Sequence, residues 1–265
     1  MTSSTVLITG ASTGIGAVYA NRFARRGHDL VLVARDHERL DALAARLTAE
    51  TDSKVDIIQA DLTRAADLAE VEKRLREDAT IEILINNAGA ALSGQFNEQS
   101  TEDITRLITL NVTALTVLAH AIAPRLAAAG QGAIVNVGSV VGLAPEFGMS
   151  VYGATKAFVL FLSQGLSLEL APKGVYVQAL LPAGTRTEIW GRAGIDINTL
   201  PHLMDVEQLV DAGLAGYDRR ELVTIPALHD AAHWTALDVA RQLLVGDIRQ
   251  AHVANRYLAE PDSVV

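Results

Sequence analysis

The chain contains no cysteine, which excludes disulfides, thiol nucleophiles and cysteine-ligated metal, and fits a reducing compartment. It is also short of positive charge: 22 lysines and arginines against 31 acidic residues give a net charge of −9. Nucleic-acid binding at scale needs a basic surface, so no nucleic-acid partner is expected. Long hydrophobic runs are missing too. Even the apolar region from Ile104 to Ala129 is broken by Arg106, Asn111, His120 and Arg125, so no uninterrupted stretch of the ~18 residues a membrane span requires is expected. The first strand-like run, Val6–Ile8, begins too early to leave room for a secretory leader. Linkers rich in proline, glycine or serine are absent, as are internal repeats. The expectation is a single cytoplasmic domain over residues 1–265, with no membrane association.

What is present is a core's worth of apolar residues, 49% of 265, in an alternating rhythm. Strand candidates are Thr5–Thr9, Leu30–Ala34, Val55–Gln59, Ile81–Asn86, Ala133–Val137, Val175–Leu181 and Leu222–Ile225. Most are apolar without strict alternation, as parallel strands covered on both faces should be. Between and after them lie helical patterns: Gly14–Arg26, His37–Glu50, Ala65–Asp78, Thr101–Ala128, Val151–Ala171, Val206–Tyr217 and Ala231–Leu244. This rhythm predicts an α/β fold, a doubly wound, Rossmann-like parallel sheet of about seven strands with helices on both faces. Residues 182–205 are long, glycine-punctuated and mixed in pattern, which suits a lid over a ligand.

The first strand runs into Thr9-Gly10-Ala11-Ser12-Thr13-Gly14-Ile15-Gly16 and then directly into a helix. Small residues there let backbone approach a pyrophosphate at the helix N-terminus, where free N–H groups and the helix dipole favour anions. Gly10 allows the turn, Gly14 the approach and Gly16 close helix–sheet packing, while Ser12 and Thr13 add hydroxyls. Alone, the motif is no more than a glycine-rich turn. Further along, Asn86-Asn87-Ala88-Gly89 follows a strand, Asn111 interrupts an apolar helix, and Ser139 stands near the carboxyl end of another strand. Tyr152 and Lys156, four residues apart, share one helix face. Each also has an ordinary reading: a surface Tyr–Lys pair, a serine opening a turn, a solvated asparagine.

Taken in this order, the set resembles the short-chain dehydrogenase/reductase family, through about Leu181 and more loosely beyond. The resemblance implies an oxidoreductase acting on a small-molecule carbonyl or secondary alcohol. It assigns Tyr152 as acid/base and Lys156 as the residue that binds the nicotinamide ribose and lowers the tyrosine pKa. Ser139 would hydrogen-bond the substrate oxygen, and Asn111 would hold a water in the proton relay. Asn86, Asn87, Ala88 and Gly89 would shape the sheet beside the cofactor, with Ile15 in the phosphate loop and Asp61 at the adenine. The chemistry is coherent: a free phenol has a pKa of about 10 and needs nearby positive charge to act as a base near neutrality.

Arg35, after the second strand, stands where an acidic residue would select NAD(H), so NADP(H) is favoured; its guanidinium suits a 2′-phosphate. Asp36 reverses the choice, to NAD(H), if the register is off by one. The family's Pro-Gly after the sixth strand is replaced by Pro182-Ala183-Gly184-Thr185-Arg186-Thr187, leaving Pro182, Thr185 and Thr187 as cofactor contacts on an uncertain turn. Leu92, Val140, Phe147, Met149, Ile189, Trp190, Leu203 and Met204 are candidates for an apolar substrate wall. His229 and His233 stand four apart without a third ligand, so no metal is expected. The helix over Ala154–Leu170 is apolar nearly all round, predicting a homodimer or homotetramer. A non-catalytic NADP(H)-binding sensor, or an epimerase or dehydratase, are the competing readings.

Overall fold

The computed structural model describes residues 4–258. Seven strands, β1 (Thr5–Thr9), β2 (Asp29–Ala34), β3 (Val55–Gln59), β4 (Ile81–Asn86), β5 (Ala133–Val137), β6 (Tyr176–Leu180) and β7 (Val223–Thr224), form one parallel sheet in the order β3-β2-β1-β4-β5-β6-β7. The β-branched runs of β1 and β5 are buried along their whole length, whereas β3, at the sheet edge, is only partly covered. Helices α1 (Gly14–Arg25), α2 (His37–Glu50) and α8 (Val206–Asp218) cover one face through Phe23, Leu40, Leu47, Val210 and Leu214. Helices α3 (Ala65–Glu77), α5 (Leu115–Ala129) and α6 (Ser150–Leu170) cover the other through Val71, Leu75, Leu118, Ile122 and Leu170. Each fully buried leucine or isoleucine contributes about 1.5–3 kcal/mol of transfer free energy, and Leu7, Ile8, Leu32, Leu84 and Ile85 are all fully buried.

The strand order reverses between β1 and β4. Crossovers from β1 lead outward to β2 and β3, and the chain then returns to β4 on the opposite side of β1. The connecting loops therefore part at the carboxyl ends of β1 and β4, leaving the crevice in which open α/β sheets bind ligands.

The helix expected over Thr101–Ala128 is not continuous. α4 (Thr101–Ile108) passes into a π-helical segment, Thr109–Ala114, before α5 resumes. Such wide turns break the regular ladder and cluster at functional sites, and this one carries the buried Asn111. By length and hydropathy the whole run Thr101–Ala129 is sufficient to cross a membrane, contrary to the sequence expectation. Leu115, Leu118, Ile122 and Leu126 are nevertheless buried in the protein's own core. That is the ordinary cause of such a signal in a core helix.

The chain forms two compact units, Met1–Ala227 and Leu228–Val265. The second holds α9 (Ala231–Asp247), which Asp230 caps through the Ala232 N–H and in which no residue is buried. His229 and His233 both lie in this second unit and are exposed, and no group of three metal-ligating side chains occurs among the described residues.

Candidate active site

The glycine loop leaves β1 with Gly10 at φ +65° and enters α1 with Gly14 at φ +56°, both left-handed conformations that side chains disfavour. Gly16 has a different constraint: a Cβ there would lie 2.3 Å from the Gly10 carbonyl oxygen and 2.6 Å from the Asn87 amide nitrogen. The Asn87 side chain donates to the carbonyls of Thr9 (2.9 Å) and Gly10 (3.1 Å), while the backbone N–H groups of Asn87 and Ala88 donate to the Thr9 hydroxyl. The segment after β4 is thereby fastened to the loop after β1. Thr13 stands at the N-cap of α1 without a side-chain capping bond, which leaves the helix's first amides to be satisfied by something else. Ser12, Thr13 and Ile15 are half-buried around this turn.

Ser139 follows β5. Its hydroxyl accepts from the Val141 N–H (3.2 Å) and donates to the Pro182 carbonyl (3.3 Å), so it joins the ends of β5 and β6. The adjoining 3₁₀ turn, Val140–Leu143, packs on α6, whose first turn is set by Met149 in a left-handed conformation at φ +57°. α6 directs Tyr152 and Lys156 inward, and they are only 9% and 6% exposed. The Lys156 ammonium lies 5.8 Å from the Tyr152 ring centre and donates to the Val137 carbonyl at 2.9 Å. Burial pushes the lysine down to about 8. Burial likewise pushes the Tyr152 phenol above its ordinary value, with the Ser139 hydroxyl opposing it. In the cofactor-free protein, desolvation by burial dominates the tyrosine, and the phenol keeps its proton at neutrality.

Asn111 is brought to the same place by the π segment. Its carbonyl oxygen accepts from the Ala90 N–H, and its amide donates to the Ala90 carbonyl and to the Thr155 hydroxyl, all at 3.0–3.1 Å. With those bonds made, its side chain positions α6 against the loop after β4, and both of its N–H groups are already spent. Thr155, which in turn donates to the Tyr152 carbonyl at 2.7 Å, is a site residue that sequence reasoning missed; its place between Tyr152 and Lys156 was the available signal. Gly89 lies beneath, where a Cβ would come within 3.3 Å of the Asn111 oxygen and 3.5 Å of the Lys156 nitrogen. Asn86 sits deeper, donating to Asn136 and to the Leu115 carbonyl, and braces the sheet.

On the far side of the crevice, β2 ends at Ala34, so Arg35 is the first residue beyond it. Asp36 accepts from the Arg39 N–H as the N-cap of α2 and also pairs with the Arg39 guanidinium at 3.3 Å. Arg35 thus follows the strand directly, and the neighbouring Asp36 carboxylate caps the next helix. Asp61 accepts twice from Thr63; burial raises its carboxyl, but those two bonds, with Arg35 and Arg64 adding, bring it below the ordinary value.

Residues 182–205 form a braced loop. Its stem is closed by a bridge between Thr185 and Met204, with hydrogen bonds from Arg186 N–H to Met204 and from Met204 N–H to Gly184. Thr185 is buried and its hydroxyl donates to Ala183, while the Trp190 indole donates to the Thr185 carbonyl. Thr187 packs on the phosphate loop, within 3.3 Å of where a Gly14 Cβ would lie. A cavity of about 630 Å³ opens along this loop between Arg186 and Ile197, lined by neither Ser139 nor Tyr152.

The residues present fit a dinucleotide: a glycine turn open at the N-terminus of α1, an arginine at the end of β2, and a buried ammonium without a carboxylate partner. The family model for short chain dehydrogenase matches residues 4–197. The chain belongs to the short chain dehydrogenase family. A short-chain dehydrogenase from Sphingobium yanoikuyae, solved in complex with NADPH, is 73% identical and superposes with a TM-score of 0.95 over 96% of this chain and 100% of that one. The bulky-bulky ketone specific alcohol dehydrogenase from Comamonas testosteroni is 64% identical, with a TM-score of 0.91 over 97% and 99% of the two chains. Sulfoacetaldehyde reductase from Chromohalobacter salexigens is 41% identical over 188 residues, 69% of this chain and 73% of that protein. The first curated relatives are longer, and the chain matches little more than half of their length: the match spans 54% of a hydroxysteroid dehydrogenase-like protein 1 from Gallus gallus, at 32% identity over 178 residues and 66% of this chain.

Proposed function

We propose that this short chain dehydrogenase is an NADP(H)-dependent oxidoreductase that interconverts ketones and secondary alcohols carrying hydrophobic substituents. The observation that carries the reading is the juxtaposition of a buried, protonated Tyr152 with Ser139 and Lys156 at the crevice beside the phosphate loop. Gly10, Ser12, Thr13, Gly14, Ile15 and Gly16 cradle the pyrophosphate; Asn87, Ala88 and Gly89 line the adjoining wall; Asp61 faces the adenine; Pro182, Thr185 and Thr187 close the nicotinamide end. Arg35 favours the 2′-phosphate, in keeping with the NADPH held by the Sphingobium relative.

A bound nicotinamide supplies or takes the hydride. The chain's own residues manage the proton. Ser139 hydrogen-bonds the substrate oxygen, and Tyr152, held neutral by burial, donates its proton as negative charge develops there. Lys156 presents positive charge from one helical turn away and steadies the phenolate that remains. Asn111 and Thr155 fix the helix turn on which both stand. In alcohol oxidation the same groups act in reverse.

The relative named for bulky-bulky ketones and the apolar lid residues Ile189, Trp190, Leu203 and Met204 both support large substituents flanking the carbonyl. The test is NADPH consumption across ketones of increasing bulk on both sides, beside aldehydes, quinones and β-ketoacyl thioesters, with NADH in parallel. Turnover that grows with bulk and vanishes in Tyr152→Phe supports the reading; cofactor binding without turnover of any carbonyl refutes it and favours a sensor. We further propose a cytoplasmic homodimer or homotetramer. The exposed apolar side chains Phe161 and Leu168 on α6, 79% and 81% accessible, are the support, and a monomer by light scattering at micromolar concentration would overturn it.

A further inference from the structure

The lid and the cofactor crevice are joined by charges that the proposed chemistry does not use. Glu188, on the lid at the N-cap of the short helix α7 (Ile189–Arg192), receives both of its oxygens' bonds from one Arg39 nitrogen at 2.9 Å. It also accepts from Arg192 at 2.9 Å, and Arg192 in turn reaches the Thr13 hydroxyl in the phosphate loop at 3.5 Å. Arg39 lies one turn into α2, four residues after Arg35 and bonded to the capping Asp36. Together with Thr187 on Gly14, these contacts seat the lid on the crevice at two points: over the pyrophosphate turn and beside the end of β2.

From this we infer that Glu188 is a built-in anion standing in for the cofactor's 2′-phosphate: it holds Arg39 while the lid is down, and the incoming 2′-phosphate takes Arg39 from it as the lid lifts off the phosphate loop. The inference rests on the NADP(H) reading above and adds a specificity-determining residue to it. The chemistry is an exchange of like for like. A carboxylate and a phosphate monoester both take a guanidinium fork, and the phosphate, with about −1.5 to −2 charge near neutrality, is the stronger acceptor. NADH brings no anion to that place, so it does not take Arg39 from Glu188 and binds beneath a lid still latched. The preference for NADPH would then be set by two opposing effects: Arg35 and Arg39 favour the 2′-phosphate, and Glu188, as the competitor that must be displaced, holds that preference down. The pair is half exposed, with the Arg39 and Glu188 side chains 47% and 52% accessible. A latch of that exposure is screened by water and weak enough for a ligand to open. The braced stem of the lid, closed by Thr185 and Met204, lets the segment between move as a unit.

The experiment is a fluorescence titration of the purified full-length chain with NADPH and with NADH, read as dissociation constants and without turnover. Four proteins are compared: the unchanged chain, Glu188→Gln, Arg39→Ala and the double variant. Removing the competitor should tighten NADPH by roughly fivefold, as loss of a weak exposed competitor predicts, and shift NADH by less than about twofold. Arg39→Ala should weaken NADPH alone, and in its background Glu188→Gln should have no further effect. Trp190 sits in the lid next to Glu188, so its emission, read with Trp234→Phe in place, should change when NADPH binds and shift towards the bound value in Glu188→Gln before any cofactor is added. If Glu188→Gln weakens NADPH, leaves it unchanged, or tightens both cofactors equally, the exchange is wrong. An unchanged chain that binds NADH as tightly as NADPH would instead overturn the underlying cofactor assignment, so the two failures are distinguishable.

Discussion

Replacing Lys156 with methionine should stabilise this protein near neutral pH while abolishing its activity. The ammonium is buried, its one hydrogen-bond acceptor is the neutral Val137 carbonyl, and no carboxylate pairs with it. A lysine held at about 8 rather than its ordinary 10.5 has its charged form disfavoured by roughly 3 kcal/mol, taking 1.36 kcal/mol per tenfold. Methionine keeps the length of the stem and removes the charge. It also strands the Val137 carbonyl, which costs about 1–2 kcal/mol. The net expectation near pH 7 is a gain of about 1–2 kcal/mol, or a rise in Tm of roughly 2–8 °C for a chain of this size. The pH dependence separates this cause from ordinary repacking. Below about 8 the folded protein carries the penalised ammonium. Between about 8 and about 10.5 the unfolded lysine still holds its proton while the folded one has lost it, so the unfolded state binds more protons and stability rises with pH. The parent protein therefore gains on the variant through that window, and the advantage of methionine should shrink and then reverse. Thermal denaturation at about pH 7 and about pH 9.5, followed by circular dichroism, reads both limbs. A variant less stable than the parent at neutral pH, or a difference that does not move with pH, would refute the reasoning. A variant more stable at neutral pH would mean that the lysine persists for function at a cost in stability, as strained or buried catalytic groups commonly do.

Tyr152→Phe should lose turnover by at least about a hundredfold, the usual worth of a positioned general acid, with NADPH affinity unchanged; fluorescence titration beside the kinetic assay checks both. Gly16→Ala forces a Cβ to 2.3 Å from the Gly10 carbonyl, so the turn must open; a loss of about 1–3 kcal/mol, in the range for overpacking, and weakened cofactor binding should follow in denaturant and binding titrations. Asp36→Ala removes the N-cap of α2 and should cost about 1 kcal/mol by chemical denaturation, without converting the enzyme to NADH, because that carboxylate is spent on the helix. Asn111→Ala unfastens α6 from the loop after β4 and should lower kcat more than it raises KM.

Much of this protein is legible in one dimension because its strands and loops are locally determined. β1, β3, β4 and β5 have the predicted bounds, and β2 differs by one residue, since an unbroken β-branched run between turn residues has few alternatives. The glycines at 10, 14 and 16 and the Tyr152–Lys156 spacing are likewise local facts; the order of the strands in the sheet is not. What tertiary structure decided is everything that depends on who stands opposite. Where β2 ends, and that Asp36 caps α2, are facts of the folded chain. So is the burial of Tyr152 and Lys156, which no spacing records. The π turn that swings Asn111 to Ala90 and Thr155, the separation of α9 into a second unit, and the pairing of Glu188 with an arginine 149 positions earlier belong to the same class. Periodicity reports which face of an element is apolar; charge partners, desolvation and helix irregularities are properties of elements brought together from distant parts of the chain.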